Sequence, residues 1–137
     1  MRRPTPRIRS HRELDDVWQL VDGGHGYDAA QLFAVHVDRR GHVVPNVIQV
    51  YDDDADGLGE TVMAELLQIH ATILATEVPG GSLALMRARP GDSDLTDDDV
   101  AWCRMAHRLL AEAPFRSWPL YFATDRTVGI VPPDVLV

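Results

Sequence analysis

Arg87-Ala88-Arg89-Pro90-Gly91-Asp92-Ser93-Asp94-Leu95-Thr96-Asp97-Asp98-Asp99 joins two arginines to an acidic helix start across a Pro-Gly turn. It reads as the end of a strand, a tight Pro-Gly loop and the start of a helix. Thr96 is a good amino-cap, and Asp97, Asp98 and Asp99 complement the positive end of the helix that follows. In a mixed α/β protein such a junction collects ligand and catalytic groups, because the carboxyl end of the strand and the free amides of the helix face the same space. The residues standing there are arginines, where chemistry usually wants lone pairs.

The pattern on either side supports that junction. Leu83-Ala84-Leu85-Met86 is a short apolar strand entering from the turn Pro79-Gly80-Gly81. Beyond the loop, Val100, Cys103, Ala106, His107 and Leu110 recur at helical spacing up to Pro114. Residues 118–124 and 127–131, joined at Asp125-Arg126, read as a terminal strand pair.

Further upstream, Ser10 and Glu13 have capping-box spacing, and Leu14, Val17, Leu20 and Val21 predict a helix over 11–21 that stops at Gly23-Gly24. From Gln31 the period becomes two, with Leu32, Ala34 and His36 on one face and Phe33, Val35 and Val37 on the other. With 43–50 this forms an antiparallel hairpin turning at Asp38-Arg39-Arg40-Gly41, and Pro45 marks an irregularity or an edge. A second helix over 58–75 carries Val62, Leu66, Ile69 and Ile73 on its main stripe, widened by Met63, Leu67 and Leu74. Strand, helix, strand in that order implies a crossover and at least part of a parallel sheet.

The 137 residues suffice for one domain with one continuous core. A net charge of −8 disfavours long-range attraction to nucleic acid or anionic membranes. Arg2, Arg3, Arg7, Arg9 and Arg12 nevertheless crowd the start, interleaved with Pro4 and Pro6 and without the apolar centre of a secretory signal. Residues 1–9 thus read as a flexible basic arm, and 10–133 as the domain. A single cysteine, Cys103, makes no internal disulfide and suits a reducing cytoplasm. No apolar run is long enough to span a bilayer. The acidic run Asp52-Asp53-Asp54-Ala55-Asp56 reads as a solvated helix start rather than a calcium loop, whose glycine and terminal glutamate it lacks.

From about Ser10 to Pro133 the chain resembles a JAB/MPN domain, the fold of JAMM metalloproteases, and most nearly its RadC-like branch. In that family an apolar strand ends in His-x-His-Pro-Ser-Gly, and Ser-x-x-Asp opens the next helix. Here Arg87-Ala88-Arg89-Pro90-Gly91-Asp92 and Thr96-Asp97-Asp98-Asp99 stand at those places, with a loop one residue shorter. Arg104 to Leu110 and then Trp118-Pro119-Leu120 resemble the family's helix and returning strand. The resemblance implies a three-layer α-β-α fold with a mixed sheet, of cytidine-deaminase-like architecture.

In the active family two histidines and the aspartate bind zinc, a glutamate activates water and the serine supports the oxyanion. Arg87 and Arg89 fall at the histidine positions, and a guanidinium offers no lone pair. No glutamate occurs near Asp28 to Gln31, where the resemblance expects one. The degenerate site is therefore Arg87, Arg89, Thr96 and Asp99, with no catalytic residue, metal or cofactor assigned. The two arginines either pair with the helix start at Asp99, lie exposed at a strand end, or hold an anion.

The leading expectation is a metal-less JAB/MPN-like pseudoenzyme acting as a structural or regulatory protein-interaction module, as a homodimer or with another protein. Two alternatives stand beside it. One is a hydrolase of the same fold with non-standard metal ligands, for instance His36, His42 and Asp99. The other is a RadC-like nucleic-acid module working through the amino-terminal arginines. Cys103 and His107 have the spacing of a pair on one helix, but Cys103 is read as buried filler. His25 and His70 have no metal-ligand spacing, and the Gly23-Gly24-His25-Gly26 loop lacks the strand and helix of a phosphate loop.

Overall fold

The computed structural model describes residues 7–52 and 58–137. The arginines and prolines of residues 1–6, and Asp53, Asp54, Ala55 and Asp56 of the acidic run, lie outside the described residues. The elements are α1 (His11–Asp22), β1 (Gln31–Val37), β2 (Val43–Tyr51), α2 (Glu60–Glu77), β3 (Ser82–Ala88), α3 (Asp97–Glu112), β4 (Arg116–Ser117), β5 (Tyr121–Ala123) and β6 (Val128–Ile130). A 3-10 turn, Pro133–Val135, follows.

The strands form one six-stranded mixed sheet in the order β2-β1-β3-β5-β6, with β4 also paired to β3. Both β1–β2 and β1–β3 are antiparallel, so β2 and β3 run the same way with β1 between them. The connection through α2 is therefore a crossover that spans a strand. A second crossover, through α3, joins β3 to its parallel neighbour β5. The returning strand is broken in two because Trp118-Pro119-Leu120 interrupts it: β4 pairs with Ser82 and Leu83, and β5 with Met86, Arg87 and Ala88. Proline cannot donate to the ladder, which accounts for the break.

Strand alternation sends two cores to opposite faces. Leu32, Ala34, Leu83 and Leu85 pack with Met63, Leu67 and Leu74 of α2 and Cys103, Ala106 and Leu110 of α3. Phe33, Val35, Val37, Ala84 and Met86 pack instead with Leu14, Val17 and Trp18 of α1. The result is a mixed sheet with α1 on one face and α2 and α3 on the other.

Several expectations need correction. The buried stripe of α2 is Met63, Leu67, His70 and Leu74, whereas Ile69 is 55% exposed. In α1 Trp18 is fully buried and Leu20 is exposed. Ser10 caps α1 without a side-chain hydrogen bond, so no capping box forms there. His107 is exposed while Cys103 is buried, which separates that pair.

Arg7 and Ile8 do not belong to a solvated arm. Arg7 forms an antiparallel bridge with His42, and its Nε donates to the Arg40 carbonyl at 2.9 Å. Ile8 is only 3% exposed and donates its backbone N–H to the Gly41 carbonyl. The apolar side chain of Ile8 joins the α1-side core, which is what draws this segment in. Gly41 makes the approach possible, since its φ is +88° and a Cβ there would sit 2.7 Å from the Ile8 carbonyl oxygen.

Candidate functional site

The carboxyl end of β3 and the start of α3 do meet, at the loop between Ala88 and Asp97. Arg87 shares its sheet face with Leu83 and Leu85 and so looks toward α2 and α3. Arg89, one residue beyond the strand, is fixed by its backbone N–H donating to the Ala123 carbonyl of β5 at 3.1 Å.

Arg89 pairs with Asp99. Its Nε donates to Oδ1 and Oδ2 at 3.1 and 3.0 Å, and one terminal nitrogen donates to Oδ2 at 2.8 Å. The same guanidinium reaches the carbonyls of Pro90, Ser93 and Asp94 and the Ser93 hydroxyl, all at 3.1–3.2 Å. Every nitrogen of the head group is thus engaged in closing its own loop.

Asp99 serves two purposes at once. Thr96 and Asp99 form a reciprocal capping box, with the Asp99 N–H donating to the Thr96 hydroxyl at 3.1 Å and the Thr96 N–H to Asp99 at 2.8 Å. Burial works against the Asp99 carboxylate, but hydrogen bonds from Arg89 and Thr96 outweigh it, and its pKa falls below the ordinary value. The hydroxyl and carboxylate are therefore committed to holding the helix end.

Arg87 takes a different partner from the Asp99 expected for it. It is ion-paired with Asp52, just past β2, and its guanidinium carbon lies 4.8 Å from the centre of the Trp102 ring on α3. Trp102 is itself held by its indole N–H donating to the Leu58 carbonyl at 2.8 Å. Asp125 pins the other flank of the loop: one carboxylate oxygen accepts from the Gly91 N–H at 2.7 Å, the other from the Tyr27 N–H at 2.8 Å. Those two backbone bonds lower the pKa of Asp125. The sequence does not single out Trp102 or Asp125, and it reads Asp52 as part of a solvated acidic run, whereas the ion pair with Arg87 leaves Asp52 only 17% exposed. Asp125 had the only local signal, as a turn residue able to bond backbone amides.

Gln31 opens β1, where the resemblance expects a catalytic glutamate. It is buried, lies on the α1-side face with Phe33, and bonds to Gln49 and to the Ala29 carbonyl. A neutral amide so placed is no general base for chemistry beside Asp99.

A second polar cluster lies at the other end of the sheet. His36 of β1 and His70 of α2 are both buried, and Nε2 of His36 is 2.8 Å from Nδ1 of His70. One ring must donate and the other accept, so the pair requires neutral imidazole on at least one side. Burial, and then the neighbouring His36, push the pKa of His70 down to about 4, and burial also lowers that of His36. A cavity of about 680 Å³ adjoins His36, lined among others by Arg39, Asn46, Ile48, Ile73 and Glu77.

The alternative ligand set His36, His42 and Asp99 is not assembled. His36 lies opposite Leu83 at the start of β3, and Asp99 lies against Arg89 beyond its end. Six residues of strand separate those ends by about 20 Å. Among the described residues no group of three His, Cys, Asp or Glu side chains could hold a metal ion. No described helix is long and apolar enough to cross a membrane. Fold and site define a mixed α/β domain whose strand-loop-helix junction is closed by ion pairs. Comparison with protein-family models, curated proteins and solved structures gives no match.

Proposed function

We propose that the chain is a non-catalytic, JAB/MPN-like interaction module. In this reading the junction that would carry zinc in a metalloprotease carries structural ion pairs. The observation that supports it is the Arg89–Asp99 pair: the one ligand position of the resembled family that still holds a carboxylate is occupied by a guanidinium with no lone pair to share. The positive charge a metal would bring is supplied by the side chain itself. Engagement of every nitrogen of the Arg89 head group also argues against anion binding at that guanidinium.

The experiment is quantitative co-purification of the intact tagged chain, with hydrolysis of peptide and isopeptide substrates assayed in parallel. A protein recovered in stoichiometric, saturable amounts without hydrolysis is the expected result. Metal-dependent turnover that is lost on Asp99→Ala would overturn the proposal.

A further inference from the structure

At the end of the sheet away from the Arg87 to Asp99 junction, we infer a binding site for a phosphate monoester, its dianionic head held by Arg7, Arg9, Arg39, Arg40 and Arg116. This goes beyond the reading proposed above and does not rest on it. The five arginines are exposed and line one cavity of about 260 Å³. The fold brings them there from three separate segments. Val37, Ser82 and Arg116 stand abreast on β1, β3 and β4. The turn bearing Arg39 and Arg40 leaves from Val37, and Arg7 is bridged to His42 just past it. Arg39 lies over Gly80, where an added Cβ would come within 3.2 Å of the Arg39 Cβ. The head group of Arg7 is anchored through Nε to the Arg40 carbonyl at 2.9 Å, which leaves its terminal nitrogens for a ligand.

The charge is what points to an anion. Arg87, Arg89, Arg108 and Arg126 each have a carboxylate partner. Among the described residues none of the five arginines here has one, in a chain with 21 acidic residues. Asp38 is the one carboxylate among the described residues of the lining, and it accepts from the backbone N–H groups of Arg40 and His42 at 2.8 and 2.9 Å. Residues 1–6 contain Arg2 and Arg3 and no acidic side chain, so the sequence before Arg7 brings more positive charge and nothing to neutralise it. Guanidinium groups gathered this way repel one another, and a bound dianion relieves that repulsion.

Shape and chemistry select the phosphoryl group. A carboxylate has two oxygens and one charge and is satisfied by a single guanidinium fork. A phosphate monoester presents three terminal oxygens and nearly two charges, enough for several forks. The cavity is smaller than the roughly 300–1,000 Å³ of sites for drug-sized ligands, which suits a compact head group. Convergence on one cavity also differs from the extended basic groove and successive aromatic platforms that follow a single-stranded nucleic acid. Ser82 lines the same cavity, and its hydroxyl accepts the Trp118 indole N–H at 2.8 Å while keeping its own proton to donate.

The test is calorimetric titration of the full chain at pH 7.5 and low salt. The probes are inorganic phosphate, acetate, a phosphoserine peptide with its unphosphorylated twin, and a single-stranded homopolymer oligonucleotide. Saturable one-site binding of phosphate is expected, weakened at least about tenfold in Arg39→Gln/Arg40→Gln and, independently, in Arg116→Gln. Arg126→Gln, in the turn between β5 and β6, is expected to leave it unchanged. A phosphoserine peptide that binds more tightly than phosphate, with a silent unphosphorylated twin, places the ester on a partner protein. Equal affinity for peptide and phosphate places it on a small molecule. Absence of saturable phosphate binding, acetate bound as tightly, or binding indifferent to both arginine variants would overturn the inference. So would tighter binding of the oligonucleotide that is lost with the same arginines, which would make the cluster a nucleic-acid contact. Partner recovery and hydrolysis are read in separate assays, so failure here leaves the interaction module standing.

Discussion

Arg89 and Asp99 meet through three hydrogen bonds across a ten-residue separation, tying the loop that leaves β3 to the helix that returns from it. Their side chains are 17% and 13% exposed, so the pair is screened by solvent far less than a surface bridge. Arg89→Ala leaves a mostly buried carboxylate unpaired and is expected to cost about 2–4 kcal/mol. Asp99→Ala should cost about 1 kcal/mol more, because the capping box goes with it. Urea unfolding of both variants and of the double variant gives the coupling, expected at about 1–3 kcal/mol. Additive effects would show the two residues to be independent.

The His36–His70 pair makes stability fall in mild acid. Both pKa values are lowered in the folded chain, that of His70 to about 4, while the unfolded chain takes up protons near 6.5. Between those values the unfolded state binds more protons, so the stabilisation is full above about pH 6.5 and drains away as pH falls toward 4. The depressed carboxylate of Asp99 adds a further loss below the ordinary aspartate value. Urea midpoints at pH 7.5 and pH 5 should differ for the wild type, and the slope should flatten in His36→Leu/His70→Leu. An unchanged slope in that double variant would place the titrating group elsewhere.

Cys103 should be unreactive until the chain unfolds. It is fully buried, and its pKa is raised to about 11 by burial and then by nearby Asp99, with Arg87 opposing. Alkylation at pH 8 is expected to follow global unfolding, in step with loss of tryptophan signal across a urea series. Rapid labelling in the native buffer would show that α3 opens locally.

Much of the architecture was legible in the sequence because it rests on local rules. The change of period at Gln31, the turn at Asp38 to Gly41 and the Thr96 cap each act within a few residues. Arg89 and Asp99 could be connected because strand end and helix start are neighbours along the chain. Arg87 shows where such reasoning stops: Asp52 stands 35 residues away and reaches it only because β2 and β3 run parallel across β1. The stripe of α2 was displaced for a related reason. Ile69 is apolar and His70 polar, so hydropathy turns the wrong side inward, although a histidine bonded to another buried histidine is stable there. Whether His70 would find His36 depends on how α2 crosses the sheet, and no local pattern encodes that.

Whether the junction is filled by arginine or by metal is read from zinc per chain, by elemental analysis of protein expressed in zinc-supplemented medium and dialysed against metal-free buffer. The arginine-filled junction should retain far less than one zinc per chain, and Asp99→Asn should leave that value unchanged. One zinc per chain in the wild type, lost in Asp99→Asn, would show Asp99 to be a metal ligand and not the partner of Arg89.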